Sequence, residues 1–171
     1  MDAGAWEAYR RELFDLVGAE DPAEVQAAGP AAFRAIVASA GPALRTRPEP
    51  GEWSVLELVG HALDAEIMAS ARYRWVLAHD GPDLMPYDQD LFAGRLRHAE
   101  GDPAAMLDAF GALRRANLEL WARTSEAERE REGLHAERGP SSYRVLFTEI
   151  AGHDRFHLAQ GERTLAAVQA G

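Results

Sequence analysis

Apolar residues return every three to four positions along most of this chain, the spacing of one face of a helix. Trp6, Tyr9, Leu13, Leu16 and Val17 do so up to Gly18, which predicts a helix over 2–18 with Asp2 as its cap. Asp21-Pro22-Ala23-Glu24 is a second start: an Asp cap, Pro in the first turn, Glu three residues after the cap. Gly29-Pro30 closes that short piece and opens a segment with Phe33, Ile36, Val37 and Leu44 on one side. After a proline-rich connector, Arg47 to Gly51, the sharpest local signal follows. Ser54 and Glu57 make a capping box, and Trp53 and Leu58 stand where a hydrophobic staple places them. A long helix is expected from there to about Ala78. Asp102-Pro103 starts another, with Met106, Phe110, Leu113, Asn117, Leu120 and Trp121 inward, and Gly139-Pro140-Ser141-Ser142 caps the last.

The charged run from Glu126 to Arg138 reads as a solvated linker, and no stretch alternates apolar with polar, so strands are not expected. Four bundle-length segments result, 30–44, 53–78, 102–124 and 141–169. The expected fold is an all-α four-helix bundle, one domain over 1–171, with residues 1–28 as an accessory N-terminal segment. The crossing of about 22 residues between the second and third segments predicts one long crossover connection.

His153 and His157 interrupt the apolar stripe of the last segment four residues apart, which puts both rings on one side of a helix. Two readings are open: a pair of metal-ligating nitrogens, or a hydrogen-bonded core histidine beside a half-exposed one. Far upstream, His61 lies at the margin of its stripe, between buried and half-exposed. His79, His98 and His135 read as surface residues, and Trp53, Trp75, Trp121 and Phe156 as core.

Composition narrows the chemistry. No run approaches the ~18 apolar residues of a membrane span, and the N-terminus lacks the apolar segment of a signal peptide, so a cytoplasmic protein is expected. With 18 basic and 28 acidic residues the formal charge is −10, which repels nucleic acid. Every cation among the 18 is arginine, which removes lysine Schiff-base chemistry. With no cysteine, a metal site must use histidine and carboxylate.

Gly51 to Glu57, then His61 with Asp64 and Glu66, then Pro86-Tyr87-Asp88-Gln89-Asp90, then His135 with Arg138-Gly139, then Gly152 to Gln160 resemble, in order, the signature stretches of the DinB-like (YfiT-like) metalloprotein superfamily. The resemblance covers 30–169 and implies a three-histidine site for a divalent metal formed by His61, His153 and His157. It also implies zinc or nickel as the metal and a homodimer. All-nitrogen ligation suits zinc, nickel, iron(II) or cobalt and leaves coordination positions open for water or substrate. An ion so held keeps its full charge, which favours a bound hydroxide or thiolate. Each ligand needs an acceptor for its second ring nitrogen. Glu57, Asp64, Glu149 and Gln160 are nearest in sequence, although Glu57 already completes a cap. Tyr87 and Asp88, on the crossing loop, are placed for ligand contact. Asp154 stands where the zinc-protease motif His-Glu-x-x-His has its glutamate, one methylene short, which argues against proteolysis. Relatives that transfer a low-molecular-weight thiol or act as hydrolases imply an enzyme with a small-molecule substrate. The alternative is a non-catalytic bundle with a structural, binding or stress-related role.

Overall fold

Ser54 and Glu57 satisfy each other across the first turn of the helix that carries His61. The Glu57 backbone N–H donates to Ser54 Oγ, and the Ser54 N–H donates to the Glu57 carboxylate at 2.9 Å. The same carboxylate pairs with Arg47, which ties the proline-rich connector to the helix. In this computed structural model, which describes residues 3–136 and 138–170, that helix is α3, Val55–Ala78. Before it come α1, Ala3–Val17, and α2, Pro22–Ala40; the expected cap Asp2 lies outside the described residues. After it come β1 (Asp83–Leu84), α4 (Gln89–Arg95), α5 (Pro103–Ala122), α6 (Glu126–Arg129), β2 (Glu132–His135), β3 (Gly139–Ser142) and α7 (Tyr143–Ala170). Asp21, Asp102 and Ser142 cap α2, α5 and α7, as their sequence contexts predict.

The expected all-α bundle is present. α2 and α3 each pack against both α5 and α7 and touch one another only sparsely, so they lie across the bundle from each other. α1 runs along the outside of α7. Its approach requires Gly152: a Cβ there would stand 2.1 Å from the Leu13 carbonyl oxygen, so only glycine lets α1 seat beside His153. At one end of the bundle Trp121 stacks on Phe147, ring centroids 4.0 Å apart, with Tyr73 and Tyr143 around them.

Four expectations are corrected. Gly29-Pro30 does not end a helix; α2 runs straight through it. Proline removes the N–H that would bond the Gln26 carbonyl, and Arg114 from α5 donates to that carbonyl instead, at 2.8 Å. Strands do form: β1 pairs in parallel with β2, and β2 antiparallel with β3, inside the stretch that reads as a solvated linker. Segments of two to four residues containing Gly, Pro and Ser are too short to show alternation. Trp75 is 54% exposed rather than core. His98 and His135, read as surface residues, are 5% and 2% exposed.

Candidate metal centre

α3 and α7 bring the three histidines together. His61 Nε2 lies 2.9 Å from His153 Nε2 and 3.2 Å from His157 Nε2, and the rings of His153 and His157 are 4.3 Å apart at their centroids. His61 is 2% exposed, so its ambiguity is resolved toward the interior. Ring nitrogens at ~2.0–2.1 Å from one ion stand about 2.9–3.4 Å from each other, which is the spacing observed from His61 to each of the other two. No other group of three or more such side chains among the described residues converges this way.

The protonation states agree with that role. Burial, with help from His157 and then His98, holds His61 well below its ordinary pKa, and burial with His157 and His61 does the same to His153. Burial takes His157 down to about 4 against the opposing effect of its hydrogen bond to Gln160. All three are neutral at pH 7, the state in which imidazole is a ligand. His157 Nδ1 donates to Gln160 Oε1 at 2.8 Å, which leaves the Nε2 lone pair pointing at the other two rings. Trp53 closes one side, its ring 4.9 Å from that of His61.

The other residues named near the site have different partners. Asp64 accepts from His98 Nε2 at 2.6 Å, so its carboxylate is taken by a residue 34 positions away rather than by His61. Burial raises its pKa against the pull of His98. Glu57 is occupied by its cap and Arg47. Glu149 pairs with Arg10 at 2.6 Å, one turn before His153. Asp88 is exposed and caps α4, while Tyr87 faces the interior beside Arg72.

Two openings flank the histidines. An open cleft of about 750 Å³ reaches His157 and Gln160 past Pro48, Trp53 and Phe156. A smaller cavity of about 90 Å³ reaches His153 and is walled by Trp6, Tyr9, Arg72, Tyr73, Tyr87, Arg138 and Glu149. Trp6, Arg72 and Tyr73 went unrecognised in the sequence as site residues. Nothing local marks them, since Trp6 and Tyr73 sit on ordinary apolar stripes and Arg72 on a helix with no charge pattern.

The fold is thus a helical bundle in which α3 and α7 bring three imidazoles to one point, a group that could hold a metal ion. The family model of the DinB superfamily matches residues 6–160, and the chain belongs to that superfamily. Among solved structures it is similar to YfiT from Bacillus subtilis, described as a probable metal-dependent hydrolase with an unusual four-helix bundle topology. That match has a TM-score of 0.78 at 19% identity and covers 84% of this chain and 83% of that one. No curated protein sequence matches. Among the described residues no helix is long and apolar enough to cross a membrane.

Proposed function

We propose that this protein is a metal-dependent enzyme acting on a small molecule, a hydrolase or a thiol-dependent transferase, with His61, His153 and His157 as the ligands of one zinc or nickel ion. The observation that carries the reading is the convergence of three histidines, two buried and one half-buried, whose ligand atoms lie within 4.8 Å of one another beside an open cleft and a smaller cavity. A divalent ion there supplies Lewis-acid activation of water or of a thiol. Gln160 holds the His157 tautomer, and Trp53 and the α1 aromatic residues exclude bulk water. Glu149 lines the cavity with its carboxyl raised above the ordinary range by burial, against Arg10, Arg138 and Arg72, which suits its carboxylate oxygen to take up and return a proton. With no cysteine in the chain, a thiol would enter as a co-substrate from solution. The cytoplasmic location expected from composition and the homodimer implied by the family resemblance belong to the same reading and are checked by fractionation and sedimentation.

Elemental analysis of the purified protein beside His153→Ala tests the centre. About one zinc or nickel per wild-type chain and none in the variant is expected. No metal in the wild type after each ion is added back would overturn it. A bound metal that raises thermal stability while esters, amides and thiol-plus-haloarene mixtures all go unturned would favour the non-catalytic reading.

A further inference from the structure

The cavity beside His153 is lined by hydrogen-bond donors that have nothing to bond. Trp6 Nε1, Arg72 Nε, Tyr73 Oη and His153 Nδ1 are all buried without a partner, and all four residues line it. Tyr73 is 0% exposed and Trp6 7%. Buried polar atoms are satisfied in the great majority of cases, so several orphans around one void mark the place of a ligand. Arg72 sharpens the point. Its Nη2 donates to the Met85 carbonyl at 2.6 Å and its guanidinium lies 5.8 Å from the Tyr87 ring, but no carboxylate among the described residues pairs with it. Arg138, whose guanidinium sits 3.5 Å from the Trp6 ring centroid, adds a second positive charge to the wall. The cavity's one acidic side chain, Glu149, is engaged by Arg10.

The shape gives the rest. Along α3 the lining runs from Ala65 to Arg72, and along α7 from His153 back to Leu146, about 10 Å of helix in each case. Arg72 and Tyr73 stand at one end and His153 at the other, with Leu13, Ala69 and Ile150 lending apolar wall between. A space of about 90 Å³ admits a planar head group and a short chain and nothing bulky.

We propose that this cavity binds a short-chain carboxylic acid, its carboxylate held by Arg72, Tyr73 and Trp6 and its other end directed at the histidine centre. The arginine fork matches a planar carboxylate in two parallel hydrogen bonds, and the apolar wall accepts the hydrocarbon. The proposal rests on the metal-dependent reading for what the substrate meets at that other end; the anion site itself stands on the cavity.

Calorimetric titration of the purified protein with butyrate, butyramide and sulfate, for wild type and Arg72→Gln, tests it, with metal content measured on the same samples. Butyrate should bind at least tenfold more tightly than either other probe. Arg72→Gln should abolish that preference and leave both metal content and melting temperature undiminished, since the variant removes a half-buried cation that no carboxylate among the described residues pairs with. Equal binding of butyramide, tighter binding of sulfate, no binding of butyrate, or an unchanged preference in Arg72→Gln would each overturn the proposal. Tyr73→Phe, which keeps the ring packing, should weaken butyrate severalfold, and no change in it would remove Tyr73 from the site. Metal content without butyrate binding leaves the metal centre standing and sinks this proposal; butyrate binding without metal does the reverse.

Discussion

Arg114, buried, and Arg72, half-buried, are two cations that this fold draws out of solvent, and they are treated in opposite ways. Arg114, from α5, is 1% exposed and meets Glu66 of α3 at 2.8 Å and Asp154 of α7 at 2.5 Å, while Asn117 donates to Glu66 at 2.7 Å. Burial disfavours its charge, but the two carboxylates more than compensate and raise its pKa. Every donor is answered, down to the Gln26 carbonyl left over by Pro30. The region one residue back along α7 is the reverse: three imidazole nitrogens face one another, and in the cavity beside them four buried donors face none. A satisfied polar cluster holds a fold in one arrangement; an unsatisfied one is kept ready for something from outside. The adjacency of Asp154 and His153 means that the first region anchors the helix on which the second is displayed.

Breaking the satisfied region should do the most damage. Arg114→Ala leaves two carboxylates buried without a partner and should cost about 3–5 kcal/mol of stability, read by chemical denaturation. A loss under about 1 kcal/mol would mean that the cluster is far wetter than its burial indicates.

Next is the acid limb of the stability curve, read at His135. Burial, then Arg138, Arg72 and Arg10, takes His135 down to about 4. Below about pH 6.5 the unfolded chain takes up this proton and the folded one does not, so its contribution is complete above that pH and is lost as the pH falls toward 4. Wild type should lose about 2–3 kcal/mol more than His135→Gln across that window. Parallel stability curves for the two proteins would remove the cation-rich environment from the account.

The smallest expected effect is also the most specific to the site. Gln160→Ala should weaken metal affinity about tenfold by releasing the His157 ring, with stability changed by less than about 0.5 kcal/mol. Competition with a chelator measures the first and thermal denaturation the second. An equal loss of affinity in an exposed control such as Glu162→Ala would break the link between the Gln160 hydrogen bond and the centre.

What the sequence determined by itself is whatever closes within one or two helical turns. The capping boxes and Asp-Pro starts located α2, α3 and α5, because the atoms that satisfy each other there are three residues apart. The spacing of His153 and His157, and the Gln160 partner three residues on, are likewise contained in α7. Tertiary structure alone decided the rest. His61 was legible as a candidate but its burial was not, since 92 residues separate it from His153 and a margin position faces whatever helix happens to pack there. Asp64 reads as an outer partner of His61 until His98, 34 residues away, claims it. The interior fate of Gly29-Pro30 depends on an arginine 88 residues distant from the carbonyl that proline leaves free. The three-stranded sheet draws on three segments too short to carry a period, and the donor-lined cavity draws on side chains from α1, α3 and α7 together. Local order follows from hydrogen bonds that close over a few residues, whereas a site assembled from separate helices exists only once packing has set their relative positions.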